Sequence, residues 1–384
     1  MGEADIVLTA VWAAHSAIKT EAALLAVLAD AAADEITLAD NIEMTTSGID
    51  IRRDISINLN KKTITFTTSA TVAAADRIRL TAYGTSYSDR IEVAITNGAL
   101  DFNTNGNPNI DESASMIFTQ NVDLTMDGVT VTSDAMGLFI ACGKLNMTNC
   151  TVTAVGAYAI GTNASISEGS ELYGPVDLTI LDSTLTAEFN GGAGLLFNVA
   201  GNLTLMNTSV TGGRQGVIVR SGTVTITGGS ITSAWTDPDT DSYIDSWGSG
   251  TAVPMAALVI GDISAGVYKN NTSVTISGTQ VIVENTPNSA RYIYIAGDAT
   301  DGTTATLTYA CDDTYMSALA DTNGIIVAND SASVVVTHSE TLTYVEEQEA
   351  TCTEDGHAAY YQCSVCDKYL DAKYNETTLE ELKT

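Results

Sequence analysis

Basic residues are scarce in this chain, with 16 Lys and Arg against 47 Asp and Glu, a formal charge of −31. A field of that sign repels nucleic acid and anionic membranes and attracts cations, Ca²⁺ among them. A polyanionic partner would need a local basic groove or bridging metal ions. Histidine is scarcer still. His15, His338 and His357 are the whole complement, which leaves the middle of the chain without an imidazole to activate a thiol or move a proton. No run approaches the about 18 consecutive apolar residues of a membrane span. Charged residues make up only 16% against 45% hydrophobic, so the chain can bury a continuous core and global disorder is excluded. The opening MGEADIVLTAVW lacks the basic start and apolar run of a secretory signal. Met1-Gly2 is equally what a trimmed start leaves. Few Lys and Arg with many Thr, Ser, Asn and Gly fit an exported bacterial protein, extracellular or on the cell surface.

What the chain has in abundance is a repeat. VDLTILDSTLTA begins at Val176, GNLTLMNTSVTG at Gly201 and GTVTITGGSITS at Gly222, so the starts are 25 and 21 residues apart. Spacings in this range mark solenoids and arrays. Further copies begin at Val122, Gly143 and Thr272, with a degenerate one, ATLTYACDDTYM, at Ala305. Each is followed by a short apolar run such as GLFIA, YAIG, LLFNV, GVIV, ALVIG, YIYIAG or GIIV. Aligned, one column reads Gly128, Asn149, Asp182, Asn207, Gly228 and Gly278, the residue types that tolerate positive φ, and predicts a recurring turn. Three residues on, Val131, Val152, Leu185, Val210, Ile231 and Val281 should stack inward. Between them, Thr130, Thr151, Thr184, Ser209, Ser230 and Gln280 should face solvent.

Ahead of the repeats, DIVLTAVW reads as a strand, and Thr20-Glu21 opens EAALLAVLADAAADE, whose Leu24, Leu25, Val27 and Leu28 make an apolar stripe. Thr20 suits an N-cap and Glu21 the positive end of the helix. Such a helix fits a lid over the exposed first repeat. This helix, followed by ITLADNIEM and ISINLNKKTITF, resembles the start of pectin-lyase-like right-handed parallel β-helices, and the resemblance covers about residues 20–337. The expected fold class is therefore all-β, a right-handed parallel β-helix. It divides into an N-terminal strand and capping helix (1–35), the β-helix (36–337) and a small Cys-rich module (338–384).

Two intervals exceed one repeat, so loops should bulge near 163–174 and 234–254. The second holds AWTDPDTDSYIDSWGSG, with Asp237, Asp239, Asp241 and Asp245 among Trp235, Tyr243 and Trp247. Alternating carboxylates can converge on Ca²⁺. An EF-hand is absent, however, because Ser242 and Gly248 stand where it needs Gly and Glu. A solvated acidic loop and an aromatic-plus-acid glycan contact through Trp235, Tyr243 and Trp247 are the other readings. The resemblance implies either a carboxylate pair or Ca²⁺ with a basic residue, since those drive polysaccharide hydrolysis and elimination. Of the polygalacturonase motifs, only a DD pair occurs, Asp312-Asp313, and a turn accounts for it. A lyase-like site of Asp237, Asp239, Asp241 and Arg220 is the runner-up, with turn or solvent roles as the plainer assignment for Arg220. Arg214, Lys269 and Arg291 are the other basic candidates. Cys142, Cys150 and Cys311 fall within repeat runs, Cys150 as a small packed residue.

From His338 the pattern stops. Cys352, Cys363 and Cys366 with His338 give H-x13-C-x10-C-x2-C, ending in the knuckle CSVC. The stretch 350–371, with Gly356 and Tyr361, resembles small repeats of surface proteins from Gram-positive gut bacteria. Three thiolates and an imidazole suit tetrahedral Zn²⁺ in a structural role, with His357 a substitute for His338. A disulfide with one free thiol, or reduced cysteines without metal, are the alternatives. No organic cofactor is implied. The expected function is a non-catalytic surface or secreted protein that binds glycan or a cell-surface protein or acts as a stalk. The alternative is a Ca²⁺-assisted lyase or hydrolase acting on acidic glycans.

Overall fold

The computed structural model describes residues 16–162, 174–189, 192–235, 256–261, 271–284, 291–298, 302–338, 342–351, 353 and 355–384. The strand expected at 5–12 lies outside them. So do the two expected loops, apart from Gly174, Ala234 and Trp235. The described chain is mostly strand, and its strands join one long parallel sheet, an arrangement consistent with a β-helix. From Val176–Leu181 to Thr272–Ser277 each strand pairs with the strand three places on, giving three ladders. The first runs through Val176–Leu181, Gly201–Met206, Gly222–Thr227, Thr272–Ser277, Ala305–Ala310 and Ala332–Thr337. The second runs through Thr151–Ala154, Thr184–Ala187, Ser209–Gly212, Ser230–Ser233 and Gln280–Val283. The third joins Tyr158–Thr162, Ala193–Phe197, Gln215–Val219, Leu258–Ile260, Ile293–Ile295 and Ile325–Val327.

The turn between the first two strands of each repeat is set by the residue types that the alignment singled out. Gly128, Asn149, Asp182, Asn207, Gly228 and Gly278 adopt φ of 62°, 53°, 48°, 48°, 66° and 59°. At Gly228 the requirement is doubled, since a Cβ there would sit 2.6 Å from Asn207 Oδ1. After that turn the inward column is as expected: Val131, Val152, Leu185, Val210, Ile231 and Val281 are buried and pair in register. Full burial of such a side chain stabilises by about 1.5–3 kcal/mol. Parallel pairing places each rung under the next, so the column is continuous. The outward column is graded. Thr130, Thr151, Thr184 and Gln280 are exposed, whereas Ser209 and Ser230 are half-buried. Strands of the third ladder up to Ile293–Ile295 are buried on both faces, which explains their unbroken apolar runs. Leu195, Val217, Leu258 and Ile293 point to the main core, and Leu196, Ile218, Val259 and Tyr294 to a second cluster.

A helix, α1 (Glu21–Ala29), covers the first repeats, shorter than the stretch that the sequence suggested. Thr20 Oγ1 accepts the Ala23 amide at 3.2 Å, and Leu24 is fully buried against the core, with Ala23, Leu25, Val27 and Leu28 packed beside it. At the other end Arg53 Nη2 donates to the carbonyls of Val27, Leu28 and Asp30 at 3.4, 3.4 and 3.0 Å, satisfying acceptors that a helix end leaves open. The degenerate copy departs from the repeat. Its second half is not a strand but α2 (Thr314–Asp321), capped by Asp313, whose Oδ1 accepts the Met316 amide at 3.1 Å. Tyr315 lays its hydroxyl on the amide and carbonyl of Val281, so α2 closes the edge of the last strand of the second ladder.

Beyond the long sheet lies a separate four-stranded antiparallel sheet of Leu342–Val345, Tyr360–Cys363, Tyr369–Leu370 and Glu376–Thr377. It ends in α3 (Leu379–Leu382), closed by a capping box in which Thr378 and Glu381 exchange hydrogen bonds. Its aromatic side chains stack among themselves, Tyr361 on Tyr374 at 4.7 Å and on Tyr344 at 5.2 Å between ring centroids.

Candidate metal centre

The two sheets meet at four side chains. Cys311 follows Ala305–Ala310, and His338 follows Ala332–Thr337. Because Ala310 pairs with Thr337 in register, the next residues on the two strands are neighbours, and the Cys311 amide donates to the Thr337 carbonyl at 2.8 Å. From the small sheet, Cys363 closes the strand Tyr360–Cys363, and Cys366 sits in the turn after it. In that turn the Asp367 amide donates to the Cys363 carbonyl at 3.1 Å, the Cys363 amide donates to Lys368 at 2.8 Å, and Asp367 takes φ of 57°. The ligating atoms of Cys311, His338, Cys363 and Cys366 all lie within 4.8 Å of one another. Cys311 Sγ is 3.3 Å from Cys363 Sγ, and His338 Nδ1 is 3.4 Å from Cys366 Sγ.

The two pair distances are a little shorter than the edge of a tetrahedron around Zn²⁺, about 3.8 Å between sulfurs for zinc–thiolate bonds near 2.3 Å, and the 4.8 Å limit on the whole set leaves room for that edge. Cys311, His338 and Cys363 are buried, and only Cys366 reaches the surface. Burial, with the neighbouring Cys363 thiol adding to it, pushes the Cys366 thiol up. A bound cation would reverse that balance, since thiolates are the ligating form. The donor set of three sulfurs and one imidazole suits zinc and other thiophilic metals and is unsuited to Ca²⁺ or Mg²⁺. Four protein ligands would fill the coordination sphere, the arrangement of a structural site.

Behind His338 stands a second layer. The Nε2 atom, on the far side of the ring from the sulfurs, lies 3.4 Å from Glu376 Oε1, and Lys368 Nζ holds both Glu376 oxygens at 2.8 Å. Contact with Lys368 keeps the Glu376 carboxyl below its ordinary range, and the same contact raises the Lys368 ammonium.

Comparison with protein-family models, with curated proteins and with solved structures finds no match. The chemistry is therefore read from the geometry alone. Three of the four ligands expected from sequence, His338, Cys363 and Cys366, come together. Cys352 lies outside the described residues. The fourth member of the cluster is Cys311, which the sequence placed in a repeat run without a partner. A signal for it did exist: Cys311 and His338 are 27 residues apart, one repeat, so a parallel ladder must bring them side by side. His357 is not in the cluster; its ring meets Tyr360 edge-on at 5.2 Å.

The other candidates fall elsewhere. Asp237, Asp239, Asp241, Asp245, Tyr243, Trp247 and Lys269 lie outside the described residues. Trp235 is buried, under Arg214 at 4.5 Å from guanidinium carbon to ring, and belongs to the main core rather than to an open stacking surface. Arg220 corrects the expectation of a solvent role, since it is 5% exposed, and it lies in the connection between Gln215–Val219 and Gly222–Thr227. Its amide joins the third ladder by donating to the Phe197 carbonyl at 2.8 Å. Burial pushes the Tyr158 hydroxyl up to about 12, and the positive charge of Arg220 works against that rise. Of the DD pair, Asp313 acts as a cap, with Oδ2 accepting the Gly278 amide at 2.9 Å. Cys142 and Cys150 are buried thiols raised by burial, bonded to Asn121 and to the Thr148 carbonyl at 3.0 and 3.2 Å. Such thiols are packing groups rather than nucleophiles. Among the described residues no helix is long and apolar enough to cross a membrane.

Proposed function

We propose that this chain is a right-handed parallel β-helix of the pectin-lyase-like kind that serves as a non-catalytic stalk at a bacterial surface. Its lateral face binds glycan or a protein partner, and its Cys-rich C-terminal module is fastened to the shaft by a structural zinc ion. The observation that carries this reading is the origin of the four candidate ligands. Two come from adjacent rungs of the long sheet and two from the module, so one ion would bind the module to the end of the ladder. A centre of that kind transmits position rather than chemistry. The exported setting rests on the low content of Lys and Arg and the charge of −31.

The test sets binding against turnover. Full-length protein is incubated with polygalacturonate and Ca²⁺ while ultraviolet absorbance is followed, and in parallel is applied to a panel of acidic and neutral glycans. Retention on the panel without an absorbing unsaturated product is expected. A product that accumulates with time would overturn the stalk in favour of a Ca²⁺-assisted lyase.

A further inference from the structure

The second layer behind His338 has a role that follows from its geometry and that deepens the zinc reading above. We infer that Glu376 is the positioning residue of the metal centre. Its carboxylate selects the histidine tautomer and fixes the ring that delivers Nδ1 to the ion. The imidazole has two nitrogens with opposite duties: one must present a lone pair to the metal, and the other then carries the proton. His338 Nδ1 faces the sulfur of Cys366 at 3.4 Å, and Nε2 faces Glu376 Oε1 at 3.4 Å. With Nε2–H donating to a carboxylate, the proton sits on Nε2 and the Nδ1 lone pair is left to face the ion.

Two further observations make Glu376 the positioning group rather than a chance surface contact. Lys368 grips both carboxylate oxygens at 2.8 Å, so the acceptor is itself held in place. Glu376 also belongs to the strand Glu376–Thr377, which pairs with Tyr369–Leu370 directly after the knuckle. The knuckle supplies Cys366, and the strand beside it supplies the carboxylate that steers the histidine. The ring lies between them with its side chain 3% exposed, while half of the Glu376 side chain faces solvent. A carboxylate so placed can be neutralised without opening a buried cavity.

The experiment measures zinc affinity of the full chain by competition with a chromophoric chelator, with Co²⁺ as a spectroscopic reporter of tetrahedral thiolate ligation. Glu376→Gln should weaken zinc binding by roughly 10–100-fold and perturb the cobalt bands, while the melting temperature of the metal-free protein stays unchanged. Glu376→Asp should recover part of the loss. Wild-type affinity and an unaltered cobalt spectrum in Glu376→Gln, beside a wild type that does bind zinc, would overturn the positioning role and leave the metal centre standing. A wild type that takes up neither ion would overturn both.

Discussion

At the residue scale, Ser183 stands for how the repeats keep their turns satisfied. Its Oγ accepts the Cys150 amide of the neighbouring repeat at 3.1 Å and donates to the Leu181 carbonyl at 2.7 Å. Its own amide is met by Thr208 Oγ1 at 3.4 Å, and Cys150 Sγ accepts the Val129 amide at 3.4 Å. Each buried turn amide thus depends on a hydroxyl or thiol one repeat away. Ser183→Ala should cost about 1–3 kcal/mol, because it leaves the Cys150 amide buried and unpaired. The exposed neighbour Thr184→Ala should stay within about 0.5 kcal/mol. Urea denaturation of the two variants checks the contrast. A second prediction concerns Glu21. Burial alone would raise its carboxyl. Hydrogen bonds from the Thr46 amide and hydroxyl and from the Ser47 and Thr45 amides outweigh burial and hold it below the ordinary 4.5. A depressed native value stabilises above the unfolded value and is lost as the pH falls through the native one. The N-terminal cap should therefore loosen on acidification below about 4.5, and Glu21→Gln should flatten that response. Hydrogen exchange of α1 between pH 6 and pH 3 would register both.

At the scale of elements, the period carried most of the information. A residue type that recurs at one place in every repeat must answer a demand that recurs there, so the positive-φ column and the Val210 column were both legible from alignment alone. Val210→Asp puts an unpaired charge between Leu185 and Ile231. It should destabilise by about 3–5 kcal/mol or more, and an unchanged melting curve by circular dichroism would count against the continuous inner column. What the period hid was its own ending. ATLTYACDDTYM aligns with the repeats, yet Asp313 caps a helix, and its next residues bury Met316 and Leu319 where a strand would have continued. Alignment weighs resemblance to other copies, whereas the chain responds to a local N-cap and to the need to cover an open strand edge. Cys311 was missed for a related reason. By its place in the sequence it belongs to a repeat run, and the spacing rules for metal sites look along the sequence rather than across a ladder. Trp235 looked like a ligand contact because of the acidic residues that follow it, but its ring is used in the core.

At the scale of the molecule, the long sheet and the small sheet share one candidate centre, and removal of its ion should act first at their junction. Chelation should raise hydrogen exchange in Ala332–Thr337 and Leu342–Val345 and leave Thr184–Ala187 and Ser209–Gly212 protected. A uniform rise along the whole sheet would instead mean that the ion holds up the fold and not the junction. The groove beside the centre, about 560 Å³ and lined by Val335, Val336, His338, Leu342, Leu370 and Tyr374, lies across the same seam. Any opening there should be seen as binding of an apolar dye after chelation.

The most direct test is the zinc content of the full-length protein and of two serine variants purified without chelator. About one zinc per chain is expected in the wild type, largely lost in Cys311→Ser and retained in Cys352→Ser. Zinc that survives Cys311→Ser but disappears with Cys352→Ser, or a wild type that carries none, would contradict a metal clamp between shaft and module.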